Sequence, residues 1–122
     1  MKKFIAIILT VIFVLSLTSC ADPYGDVISQ LEEMDMRGYF YTASQIESFT
    51  EENKIEESIV AFANFSQIDE EENEVYLYVV ELETEAMAKS YLNTHTLDFK
   101  YAFAKGTVVI YGSNSVINDL DL

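Results

Sequence analysis

The chain lacks much of what common chemistries require. Its 122 residues include one cysteine, one histidine, one proline and no tryptophan, and seven basic residues stand against 21 acidic ones. Cys20 alone cannot form an intrachain disulfide, so packing must hold the fold. It also leaves no second cysteine for a redox couple or a Cys-based zinc site. The single histidine, His95, is expected at the solvated end of a helix. A Ser–His–carboxylate triad needs a partnered nucleophile, and Gly112-Ser113-Asn114-Ser115 lacks the second glycine of a nucleophile elbow. With a formal charge of −14, the chain has no basic footprint for nucleic acid. An anionic lipid surface repels it as well.

What the chain does have begins at its N-terminus. Lys2 and Lys3 precede an apolar run from Phe4 to Leu17 that only Thr10 and Ser16 interrupt. A basic start, an apolar stretch and a small-residue exit describe a secretory signal peptide. As a helix those fourteen residues span about 21 Å, short of a hydrocarbon core of roughly 30 Å. No basic cluster follows, and the next charge is Asp22, so a membrane-spanning anchor fits less well.

The exit of this run, Leu17-Thr18-Ser19-Cys20, resembles the lipobox of bacterial lipoproteins: an aliphatic residue, two small residues and a cysteine. The resemblance covers the first twenty residues and implies cleavage between Ser19 and Cys20, with a diacylglyceryl group on the Cys20 thiol. It also implies an exported protein held on the outer face of the cytoplasmic membrane, or on an outer membrane where the host has one. Two acyl chains give stable anchoring, because each buried CH₂ contributes about 0.8 kcal/mol. Lipidation would occupy Cys20 and remove it as a nucleophile. Removal of residues 1–19 leaves 103 of the 122, one small domain. Five basic residues remain against all 21 acidic ones, a formal charge of −16.

Residues 20–26 read as the lipidated cysteine and a tether reaching about 20 Å when extended, and 27–122 as one domain. Val27, Ile28, Leu31 and Met34 mark one face of a first helix, with Pro23 suited to its first turn, Asp22 to its cap and Gly38 to its left-handed end. Tyr39–Thr42 is β-prone. Ser44 and Glu47 have capping-box spacing ahead of a short helix facing Ile46 and Phe49 inward. A strand follows over 58–68, with Ile59, Ala61, Ala63 and Phe65 on one side and Val60, Phe62 and Asn64 on the other. Val75–Leu82 is apolar on both sides, as a central strand is. Thr84 caps a helix with Ala88, Tyr91 and Leu92 inward. Alternation from Leu97 to Phe103, a turn at Lys105-Gly106 and a β-branched run over 107–111 predict a final hairpin. Ser113 or Asn114 caps a last short helix. The order predicts an α+β domain with an antiparallel sheet of four or five strands and helices mainly on one face. From Tyr39 on it resembles the βαββαβ core of ferredoxin-like domains, with added terminal helices.

Candidate sites are few. Asp69, Glu71 and Glu74 lie in an acidic run whose carboxylates suit calcium, but the run lacks the ligand spacing and glycine of a calcium loop and reads as a solvated hairpin tip. Glu51, Glu52, Glu56 and Glu57 form a second acidic cluster. Six tyrosines, at 39, 41, 76, 78, 101 and 111, fall in predicted strands. Tyr suits a surface that is wet alone and dry when bound. If helices cover one sheet face only, Tyr76 and Tyr78 line the open one, as a binding surface or a homodimer contact. No cofactor is implied. The expectation is a non-enzymatic, lipid-anchored binding module whose partner is membrane-proximal or cationic. The alternatives are a small carboxylate-dependent hydrolase and a calcium-binding domain.

Overall fold

The computed structural model describes residues 23–121. The leader, its cleavage site, Cys20 and the Asp22 cap lie outside the described residues. The chain runs through α1 (Pro23–Glu33), β1 (Arg37–Phe40), α2 (Ala43–Glu52), β2 (Ile59–Ile68), β3 (Glu74–Leu82), α3 (Glu85–His95), β4 (Tyr101–Lys105), β5 (Val108–Gly112) and a terminal 3₁₀ turn (Ser115–Asp119). The five strands form one antiparallel sheet in the order β1-β2-β3-β5-β4. The fold is a small α+β domain. The βαββαβ succession runs along the chain from β1 to β4. Neighbours in the sheet are antiparallel pairs, with β1 at one edge beside β2 and β5 inserted between β3 and β4.

β3 is the central strand, and its two faces feed two cores. Leu77 and Val79 join Ala63, Phe65, Val108 and Ile110 beneath Val27 and Leu31 of α1 and Ile117 of the 3₁₀ turn. Val80 and Leu82 join Phe62, Val109 and Tyr111 beneath Ala88 and Tyr91 of α3, with Ile46 and Phe49 of α2 packed against them. Two of the three helices thus share one face, but the other face is not open, because α1 and the 3₁₀ turn cover it. A sheet apolar on both sides must be covered on both sides.

Local chemistry moves several boundaries. Gly38 does not end α1. Asp35 takes the left-handed conformation at φ 61°, Asp35 N–H donates to Glu32 O at 3.1 Å and Met36 N–H to Leu31 O at 3.3 Å. That pair of bonds is a Schellman end, and it is sealed by Leu31 and Met36, both buried in the same core. Gly38 lies inside β1, where the Phe65 ring sits over it: a Cβ there would stand 2.6 Å from that ring. The α2 capping box forms at Thr42 and Gln45 rather than at Ser44 and Glu47, with Gln45 N–H donating to Thr42 Oγ1 at 3.2 Å and Thr42 N–H to Gln45 Oε1 at 2.9 Å. A register shift between Ile59 and Ala61 breaks the expected alternation and turns Ile59 to the side of Phe62. The stretch 97–100 is a loop rather than strand; Leu97 points out, 76% exposed. Thr84 caps α3 as expected, and Asn114 caps the 3₁₀ turn by accepting from Val116 N–H.

The two hairpin turns mark opposite ends of the sheet. Glu81 pairs with Val108 beside the β4–β5 turn, while Glu74 pairs with Ile68 beside the acidic β2–β3 turn. At 3.3 Å per residue these ends lie about 25 Å apart along β3. Pro23, where α1 begins, lies at the β4–β5 end, next to Gly106: a Cβ on Gly106 would be 3.8 Å from the proline Cγ.

The other end is closed by a backbone contact. Tyr76 O accepts from Ser113 N–H at 3.0 Å and Asn114 N–H at 3.2 Å, which requires β5 to pass so close that a Cβ on Gly112, at φ 154°, would overlap that oxygen. Gly112→Ala is therefore expected to cost about 2 kcal/mol or more in urea denaturation, from backbone strain and lost hydrogen bonds together.

Candidate functional site

On the α2/α3 side of the sheet the aromatic residues form a connected layer. Alternation places Tyr76 and Tyr78 of β3 on this side, their ring centroids 5.3 Å apart. Register sets Tyr78 opposite Asn64 of β2 and Tyr111 of β5. Tyr41 and Phe49 stack around Phe62 at 4.6 Å each, and Phe62 leads to Tyr78 at 5.6 Å. Phe99, in the loop after α3, reaches Tyr111 at 4.8 Å and Tyr78 at 6.2 Å. Of the six strand tyrosines expected from the sequence, Tyr101 packs on the α1 side, and Tyr41 falls just past β1.

The layer stops short of filling its space. A cavity of about 290 Å³ remains between α2, α3 and the sheet, lined by Phe49, Asn53, Ile55, Tyr78, Tyr91, His95, Phe99 and Tyr111. Tyr78 is in its wall, whereas Tyr76 is outside its lining. The face expected to be open is instead a cavity roofed by helices.

At the cavity wall, Tyr91 of α3 meets Tyr111 of β5, with hydroxyl oxygens 2.6 Å apart. Both residues are buried, at 0% and 2% exposure. Tyr91 lies on the inward face of α3, one turn after Ala88, and this brings its hydroxyl down onto the sheet. Burial raises the Tyr91 phenol most, the Tyr111 hydrogen bond opposes it and the Glu57 charge adds to the rise, giving about 12. Burial raises Tyr111 further, helped by the Tyr91 hydroxyl. Burial likewise raises Tyr78 and Tyr41. These phenols are neutral hydrogen-bonding groups across the physiological range rather than phenolate bases.

His95 is not solvated. Its Nε2 lies 3.2 Å from Glu57 Oε1, and the two side chains are 19% and 11% exposed. The His95 ring also lies against Tyr91 at 5.0 Å. Ser90 Oγ donates to the other Glu57 oxygen. Burial pushes the Glu57 carboxyl up. The Ser90 bond, its own backbone N–H and His95 pull it down further, so its net position is below the usual value of 4.5. Ser90 and His95 thus address the same carboxylate rather than each other, so no serine–imidazole relay exists in this group. What Glu57 does is brace the segment before β2 against α3.

The other sequence candidates lie apart from the cavity. Asp69 Oδ1 accepts from the N–H groups of Glu71 and Asn73, both at 2.9 Å, so the turn itself uses the first carboxylate of the acidic run. Glu71 and Glu74 are exposed. Among the described residues no three His, Cys, Asp or Glu side chains converge as a metal site would need. Asn64 Oδ1 is buried without a donor among the described residues.

Sequence reasoning missed Tyr91, Ser90 and Phe99 as site residues, and it named Glu57 only as one of a second acidic cluster. Tyr91 carried a signal: a tyrosine at a helix core position needs a hydroxyl partner, and Tyr111 was the tyrosine of the last strand. The Glu57–His95 contact spans 38 residues and left no local trace. No protein-family model, curated protein or solved structure matches this chain.

Two stability predictions follow from these contacts. Tyr91→Phe and Tyr111→Phe each strand one buried hydroxyl and are expected to cost about 1–3 kcal/mol in urea denaturation. The double variant removes both polar groups and is expected to cost less than the sum of the singles. Glu57, held low in the fold, contributes stability that is full above about pH 4.5 and declines as pH falls through its depressed value. Urea midpoints measured from pH 7 to pH 3 should therefore fall less steeply for Glu57→Gln than for the parent chain.

Proposed function

We propose that this chain is a lipid-anchored binding module, held at the membrane surface through Cys20, whose ligand site is the aromatic cavity between α2, α3 and the sheet. The observation that carries the binding reading is the character of that cavity. Aromatic rings line it, the Tyr91 and Tyr111 hydroxyls bond each other and His95 Nε2 faces Glu57, an arrangement suited to holding a ligand rather than transforming one. Its volume of about 290 Å³ limits the occupant to a small molecule or a single side chain of a partner.

The geometry of the domain fits an anchor at Cys20. α1 begins at Pro23, so at most two residues, Ala21 and Asp22, separate it from the lipidated position. Pro23 lies beside the β4–β5 turn, and that end would face the bilayer. The acidic β2–β3 turn sits at the far end of β3 and Glu81 and Glu83 stand at the near end, so the formal charge of −16 on the processed chain surrounds the domain. Partners would then be membrane-proximal, or cationic and drawn by this field.

Two measurements test the proposal. Expressed in a bacterium, the native chain should sediment with membranes and incorporate labelled fatty acid, and Cys20→Ala should do neither; equal labelling of both would refute the anchor. A fragment library screened by protein-observed NMR should place its hits at Tyr78, Phe99 and His95. Hits scattered over the surface with none in the cavity would contradict the binding site.

A further inference from the structure

The cavity's walls say which chemistry suits it. A flat aromatic ligand wants two parallel walls. Here Phe99 is turned 82° from Tyr78 and 67° from Tyr111, and Tyr91 is turned 50° from Tyr111. Steeply inclined rings enclose a rounded group from several directions. A sugar or other neutral polar ligand wants free donors and acceptors. The Tyr91 and Tyr111 hydroxyls bond each other, His95 Nε2 faces Glu57 and Asn53 Nδ2 donates to Phe49 O at 2.9 Å, which leaves the Tyr78 hydroxyl as the phenol of the lining outside these bonds. Beside these groups the cavity offers the rings of Tyr78 and Phe99, and the face of an aromatic ring carries negative potential. The Glu57 carboxylate stands directly behind the His95 wall, and its field reaches the Tyr91 hydroxyl. No Lys or Arg lines the space, and the chain's charge of −14 adds attraction for a cation.

We propose that the aromatic cavity binds an alkylammonium cation, with the part-exposed rings of Tyr78 and Phe99 against it and Glu57 as the counter-charge. The proposal rests on the cavity being a ligand site and adds the class of ligand. A trimethylammonium group meets the rings through a diffuse, weakly hydrated charge, the kind of group that aromatic cages desolvate at least cost. It could come from a free small molecule or from the headgroup of a neighbouring lipid.

The test uses the full chain in a maltoside detergent, which carries no ammonium group. Its melting temperature is followed with added choline and, separately, with the carbon isostere of choline in which a tert-butyl group replaces trimethylammonium. Choline should raise the melting temperature in a saturable way, above an equal concentration of sodium chloride, and the isostere should raise it much less. Phe99→Leu, a change in a loop, should weaken choline about tenfold, the scale of one desolvated cation–π contact. Glu57→Gln should weaken choline and leave the isostere unaffected. Equal binding of choline and isostere would overturn the cation assignment while leaving an apolar ligand site in place. No saturable shift with choline, or an unchanged shift in Phe99→Leu, would overturn it as well. Repeating the titration in phosphatidylcholine vesicles separates the sources. If the bilayer alone gives the stabilised state and added choline adds nothing, the lipid headgroup is the ligand; a choline shift that persists there assigns a soluble one. Either result supports the ammonium chemistry.

Discussion

The contact on which the α2/α3 side of the molecule depends is the bond between two phenolic hydroxyls, Tyr91 on the helix and Tyr111 on the sheet. A tyrosine buried in a small domain brings a large apolar ring and one polar atom that must be satisfied. Here each hydroxyl satisfies the other, and that fixes the height and rotation of α3 over β5. The rings of Phe99, Tyr78 and His95 then have a rigid wall to stand against, and the space between them is a cavity rather than a collapsed core. The same requirement spends two of the region's phenols on positioning its apolar rings.

A second constraint comes from β3. A nine-residue strand that is apolar on both sides must be covered twice, so a chain with only three helices among its described residues divides them between two faces. One core is closed by α1 and the 3₁₀ turn and holds aliphatic side chains in the main; the other holds most of the aromatic rings. The division separates two tasks. The aliphatic side ties Pro23 and α1 to the sheet, and the aromatic side carries the cavity. Acidic residues stand at both ends of the sheet, at the β2–β3 turn and, as Glu81 and Glu83, beside the β4–β5 turn.

Much of this was legible in the sequence, for reasons that can be named. Strands β2, β3 and β5 showed themselves because β-branched and aromatic residues alternate or run together between turn signals. Thr84 showed itself, and the last cap was narrowed to Ser113 or Asn114, because caps need short oxygen-bearing side chains at one position. Gly38 misled: it sits where a helix end would put a glycine, yet the Schellman end formed at Asp35, whose short side chain tolerates the left-handed conformation, and the glycine was needed to admit Phe65. Leu97 misled because its spacing matched an alternation that the tight exit from α3 overrode. Tyr78 was named as a binding residue for a face that turned out to be covered, and it lines the cavity formed by that cover. Tyr76, named with it, stands outside the lining. Glu57 and His95 were invisible as a pair, since nothing local predicts a contact between an acidic loop and the last residue of a helix thirty-eight positions on.

The account stands on the Tyr91–Tyr111 pair being buried and neutral, and tyrosine ultraviolet absorbance tests that directly. All eight tyrosines of the chain ionise in an alkaline titration, each adding absorbance as it does. A phenol raised in the fold contributes stability that is full below its ordinary value of 10 and is lost as pH climbs towards about 12. The account predicts that two tyrosines remain protonated while the exposed ones ionise, then release their protons together as the domain unfolds, and that Tyr111→Phe halves this late step, leaving the buried Tyr91 phenol. A single transition near pH 10 covering all eight, with the fold still intact by circular dichroism, would contradict it.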